Sequence, residues 1–136
     1  MTNSRKLGIW MDHSNAHLME FHPRTMTNTR IESDFTPQVK QSSLGKSENL
    51  MHNKEQHMHA NYFKKIADVI KQYDEVLLFG PAEAKLELKN TLKEDHHFDK
   101  IKIEVHSSDK MTEMQERLAI REYFAQVTSL KIIQPN

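Results

Sequence analysis

Apolar positions along the chain come in short runs separated by polar turns, and their spacing switches between two periods. "KLGIWMD" (6–12) is a compact apolar run, "HSNA" (13–16) carries turn chemistry, and "HLMEF" (17–21) resumes the run. Two strands closed over Asp12–Asn15 make a β-hairpin, because Asp, Ser and Asn accept local backbone bonds and tolerate tight turns. "MTNTRIESDF" (26–35) alternates as a third strand, with Thr27, Thr29 and Ile31 on one face and Asn28, Arg30 and Glu32 on the other. Residues 36–48 are polar, with one Pro and one Gly, and read as a mobile loop.

A helical period then takes over. Met51, Met58, Phe63, Ile66 and Ile70 predict a long helix from about Ser47 to near Tyr73. "EVLLF" (75–79) is a buried strand, followed by a helix whose first position is assigned to Pro81, where a missing N–H costs nothing. On that helix Ala84, Leu88 and Leu92 form the inward stripe, with Glu83, Glu87 and Glu94 on one flank and Lys85, Lys89 and Lys93 on the other. "KIKIEVH" (100–106) alternates with Ile101, Ile103 and Val105 inward. A last helix follows, capped by Ser108, Asp109 or Thr112, the last forming a capping box with Gln115. It is apolar on two sides: Met111, Met114, Leu118 and Ala125 on one, Ile120, Phe124 and Val127 nearly opposite. Such a helix is either sandwiched or an interface, and the reading favours a contact, including a homo-oligomer through residues 111–127. The tail "SLKIIQPN" is expected to add a short strand or an arm.

The resulting order, βββαβαβα, predicts an α/β fold: a three-layer mixed sheet, its later strands parallel to the first, with helices on its faces. This order resembles the ribonuclease-H-like architectures. The chain of 136 residues reads as one domain, its core spanning about 5–126 and a tail at 127–136.

Charge changes this picture little. The 19 basic and 19 acidic groups cancel, so no global field announces nucleic acid. Residues 40–73 nevertheless hold six lysines against Glu48, Glu55 and Asp68. The absence of cysteine rules out disulfides and thiolate metal sites. No apolar run reaches signal-peptide or membrane-span length, so the expectation is a cytoplasmic protein with no membrane contact.

Four segments in order carry a resemblance: "LGIWMDHSNAHLMEF", "ENLMHNKEQHMHANYFKKIADVI", "VLLFGPAEAKLELKNTL" and "IKIEVHSSDKMTEMQERL". Together they resemble the central domain of eukaryotic-type peptide release factors and Pelota, as a divergent stand-alone relative of bacterial type. The resemblance spans roughly residues 5–126. Release factors place Gly-Gly-Gln in the loop before the long helix, to position water against peptidyl-tRNA. Here "KQSSLGKSENL" holds only Gly45, and Gln38 and Gln41 lack the glycines that let a backbone N–H approach an ester. The resemblance therefore implies ribosome or RNA association without peptide release, and no catalytic residue or cofactor. On that reading the contact surface is the 38–65 loop and helix, with Lys40, Gln41, Lys46 and Lys54, then Asn61, Lys64 and Lys65, meeting phosphates and sugars. Tyr62 is available to stack on a base, while Phe63 belongs to the core.

Other chemistry is thinner. Gly80, Ala82 and Glu83 stand where a strand-to-helix turn could cradle an anion, but Pro81 removes a donor and Glu83 adds negative charge, so a structural turn is favoured. "LGKS" (44–47) is only the tail of a P-loop pattern, and no Gly-x-Ser-x-Gly elbow occurs. Nine histidines raise the metal question, yet His52, His57 and His59 are not spaced to converge, and no metal site is assigned. The enzyme alternative is a metal-dependent nuclease or phosphate-ester hydrolase around Asp12, His13 and the Gly80 turn. It needs further carboxylates, for which Glu104, Glu113 and Glu116 are the only candidates, and a turn role for Asp12 is favoured.

Overall fold

The structure is a computed structural model, described here for residues 4–22, 26–33, 48–81 and 83–133, without the side chains of 48–57 and 127–133. Its strands are β1 (Lys6–Met11), β2 (Asn15–Phe21), β3 (Thr29–Glu32), β4 (Glu75–Gly80) and β5 (Lys102–Ser107), and its helices α1 (Glu48–Ile70), α2 (Ala84–Lys93) and α3 (Glu113–Ile133). A 3₁₀ turn, His96–Phe98, joins α2 to β5. The expected loop at 36–47 lies outside the described residues.

The five strands form one sheet in the order β3-β2-β1-β4-β5. β1 pairs with β2 antiparallel and β2 with β3 antiparallel, whereas β1–β4 and β4–β5 are parallel. A hairpin meander can only be antiparallel, and strands reached through a helix return parallel, so this mixed sheet follows from the element order. The arrangement is compatible with the ribonuclease-H-like label.

Strand alternation divides the core into two. Leu7, Ile9 and Met11 of β1, Ala16 and Leu18 of β2, and Val76 and Leu78 of β4 face one side. There they meet Tyr62, Ile66 and Ile70 of α1 and Ala84, Leu88 and Leu92 of α2. The alternate residues Trp10, Met19, Leu77 and Phe79 face the other side, against Ile120 and Phe124 of α3. β1 and β4 are covered on both faces, which is why their sequences are unbroken apolar runs. Gly8 marks the closest approach: a Cβ there would lie 2.3 Å from Cγ1 of Ile120, so α3 sits directly on the β1 backbone.

The structure corrects several expectations. The third strand is shorter than residues 26–35, with Met26 making only an isolated bridge to Phe21. Pro81 is not the first helical residue; α2 begins at Ala84 behind Glu83, because the chain must first leave the sheet after Gly80. Lys85 does not stand on a solvent flank. It is buried beside Ala84, while Lys89 is half-buried and Lys93 exposed. Among the described residues the tail is helical and forms no added strand: α3 runs on through Ile133. The Thr112–Gln115 capping box forms as expected, with Gln115 N–H donating to Thr112 Oγ1 (3.2 Å) and Thr112 N–H to Gln115 Oε1 (2.8 Å).

Candidate functional site

The carboxyl-terminal edge of the parallel strands holds three of the residues singled out from the sequence, Asp12, His13 and Gly80. The hairpin turn after β1 is held by Asp12, whose Oδ1 accepts from the N–H of Ser14 (2.8 Å) and of Asn15 (2.7 Å). Both bonds point the carboxylate back into its own turn. The carbonyl of Asp12 accepts the Tyr62 hydroxyl (2.9 Å), which ties α1 to the turn. Burial first, and the Asp12 charge second, raise the Tyr62 phenol well above its ordinary range, so it remains a donor. Tyr62 is thus a core residue with no face to offer a base, which corrects its expected stacking role, while Phe63 packs half-buried against the same core.

At the same edge the His13 ring stacks on His59 of α1, centroids 5.6 Å apart, and its Nε2 lies 2.5 Å from Oε2 of Glu87 on α2. Turn, α1 and α2 are therefore clasped by one half-exposed cluster. The sequence placed His13 and Glu87 on separate elements, and only the fold unites them. Among the described residues, no three His, Cys, Asp or Glu side chains are grouped so as to hold a metal ion. The carboxylates required by the nuclease alternative are dispersed: Asp12 serves its turn, Tyr123 donates to Glu104, and Glu116 is buried against His17 (2.8 Å) on the opposite sheet face.

Gly80 answers to geometry. Its φ is 152°, and a Cβ would stand 2.1 Å from the carbonyl oxygen of Met11. The glycine lets the end of β4 pass against β1, and its own carbonyl accepts from Ser108 N–H (3.1 Å). Glu83 and Glu87 put two carboxylates at the start of α2, which repels rather than invites an anion there. Ala82 lies outside the described residues.

Of the surface expected to contact RNA, Asn61, Lys64 and Lys65 are exposed on α1. Lys54 lies on the same helix, with its side chain outside the description, and Lys40, Gln41 and Lys46 fall outside the described residues.

Sequence reasoning missed a groove of about 520 Å³ between α1 and α2. Its floor is Ala60, Phe63 and Ala67 from α1 with Leu92 and Phe98 from the α2 side, and its rims carry Lys64 and Lys71 opposite Glu87 and Asp95. Phe98, alone after two histidines, was the available signal. The N–H of His97 donates to Asp95 (2.9 Å), and this bond, followed by the imidazole, holds the Asp95 carboxyl below its ordinary range.

No protein-family profile matches the sequence, and no curated protein matches it. Solved structures do. Pelota of Thermoplasma acidophilum superposes with a TM-score of 0.54 at 16% identity, over 82% of this chain and 30% of that one. Pelota of Archaeoglobus fulgidus gives 0.57 at 9% identity, over 96% and 36%. An archaeal translation termination factor gives 0.53 at 14%, over 94% and 40%. This chain shares their fold. It spans about a third of the length of the proteins it matches.

Proposed function

We propose that this protein is a non-catalytic, cytoplasmic, translation-associated factor that binds the ribosome or structured RNA through the 38–65 loop and helix. The observation that carries this reading is the fold shared with two Pelota proteins and a translation termination factor across 82–96% of the chain. The exposed Asn61, Lys64 and Lys65 supply donors of the kind that meet phosphates without reading sequence. The dispersal of Asp12, Glu104 and Glu116 supports binding over phosphate-ester cleavage.

Ribosome pelleting tests it. The protein is expected in the pellet at about 50 mM salt and in the supernatant by about 300 mM, because each released counterion steepens the salt dependence. A Lys46→Glu, Lys54→Glu, Lys65→Glu variant should stay in the supernatant throughout. Equal pelleting of variant and parent, or none by either, sinks the reading.

A second reading rests on the outer face of α3, where Met114 is 68% and Leu118 51% exposed while Ile120 and Phe124 dock inward. That face fits a second copy of the chain. Arg117 and Glu122 flank the Met114–Leu118–Ala125 stripe on opposite sides, so parallel copies would set Arg117 of one beside Glu122 of the other. Light scattering across concentrations should show a dimer that Leu118→Lys abolishes; a monomer at every concentration removes it.

A further inference from the structure

The α1–α2 groove has a shape and charge pattern that the RNA reading uses only at Lys64. Its α1 side is built on Ala60, Phe63 and Ala67, which share one helix face, so two alanines leave a trough on either side of a phenylalanine. The trough runs from His59 to Lys71, roughly 18 Å at the helical rise. Phe98 and Leu92 close its floor from the other side.

Three observations restrict the occupant. The groove lies over the face of the sheet, away from the unpaired edges of β3 and β5. An extended peptide here would set its N–H and C=O groups against alanine and phenylalanine with no ladder to join, whereas a helix satisfies its own backbone. Glu87, Asp95 and Asp68 line it, and carboxylates on both sides oppose a phosphate backbone. Finally, the rims differ in net sign. Lys64 on α1 and Lys71 just past its end outnumber Asp68, which Lys71 reaches at 3.8 Å, and Glu87 and Asp95 stand opposite.

We infer that this groove is the docking site of an amphipathic helix from a protein partner. The helix lays its apolar stripe on Phe63, Ala67 and Phe98, turns an acidic flank to Lys64 and Lys71, and turns a basic flank to Glu87 and Asp95. The mode is helix-in-groove recognition, in which spaced apolar anchors supply contact and the flanking charges set orientation. It shares only Lys64 with the ribosome reading, whose test leaves Lys64 and Lys71 in place.

The experiment uses two labelled synthetic helices of ~14 residues, matched to the groove by length. Both carry leucines on one face; one has glutamates on one flank and lysines on the other, and the second has lysines on both. Fluorescence anisotropy with the full chain should favour the mixed-flank helix by about 5-fold, since the second sets lysines against lysines. Lys64→Glu with Lys71→Glu makes both rims acidic and should reverse the preference. Ala60→Arg, a substitution at an exposed position, should weaken both helices about 10-fold by filling the trough. Amide chemical-shift changes should concentrate at residues 59–71 and 87–98. Failure of the mixed-flank helix to bind the parent protein, an unreversed preference, or shifts centred on Met114 and Leu118 would overturn the assignment.

Discussion

At the scale of single residues, Gly80 and Glu20 show how local constraints set stability. Gly80 combines a φ of 152° with a Cβ position 2.1 Å from a backbone oxygen, and backbone cannot step aside as a side chain can. Gly80→Ala is therefore expected to cost about 2–4 kcal/mol, read from denaturant unfolding, and a loss under half of that would show that β1 and β4 can part. Glu20 of β2 accepts the Tyr73 hydroxyl at 2.7 Å and the Arg5 guanidinium at 3.1 Å. The Tyr73 bond, and then Arg5, hold its carboxyl below the ordinary 4.5 despite partial burial, so this contribution is complete above pH 4.5 and is lost as pH falls through the lowered value. Tyr73 runs the other way. Burial and then Glu20 push it up to about 12 from 10.0, and the unfolded chain releases its proton first, so stability falls as pH rises from 10.0 to 12. Tyr73→Phe should flatten both limbs of the stability–pH curve; an unchanged acid limb would mean that Glu20 owes its shift to Arg5 alone.

At the scale of elements, the attachment of α3 to the sheet is the critical contact. Ile120 and Phe124 supply the apolar part, and the buried Glu116 reaches His17 of β2 at 2.8 Å, with Trp10 stacked on the imidazole at 5.3 Å. Removing His17 leaves the Glu116 carboxylate buried and uncompensated, whereas His17 itself is only half-buried. Glu116→Gln, which keeps an acceptor for the imidazole, is expected to cost about 1 kcal/mol. His17→Phe, which keeps a ring against Trp10, should cost more, about 3 kcal/mol, and the double variant should cost less than the two together. Strict additivity in urea unfolding would show that the two side chains act separately. The apolar side with Ile120 and Phe124 was visible in the sequence, but the pairing of Glu116 with His17, ninety-nine positions away, was not. The order of elements was legible because period 2 and period 3.6 segments are separated by turn residues. Their ends were not: Pro81 has good chemistry for a helix start, yet the exit from the sheet takes priority and moves the start to Ala84. The burial of Tyr62 was missed because a buried tyrosine needs an acceptor, and the Asp12 carbonyl, fifty positions away, is found only by folding. The groove escaped for the same reason, since Phe63, Leu92 and Phe98 each read as core.

At the scale of the whole molecule, surface character follows from charge balance. The 19 acidic and 19 basic groups leave a formal net charge of zero at pH 7, and no uniform field keeps copies apart. Exposed Leu86, Met114 and Leu118 add apolar contacts to a surface with no mean repulsion. Solubility is therefore expected to pass through a minimum near neutrality and to rise on either side of it. The effect should be local as well as global. Polyethylene glycol precipitation of the parent at pH 6, 7 and 8 should give its lowest midpoint at pH 7. Met114→Lys with Leu118→Lys should raise that midpoint more than the same two charges placed at Asn90 and Gln126, away from the stripe, because it removes apolar contact as well as adding repulsion. If the two variants rise equally, net charge alone governs association, and the outer face of α3 carries no stickiness of its own.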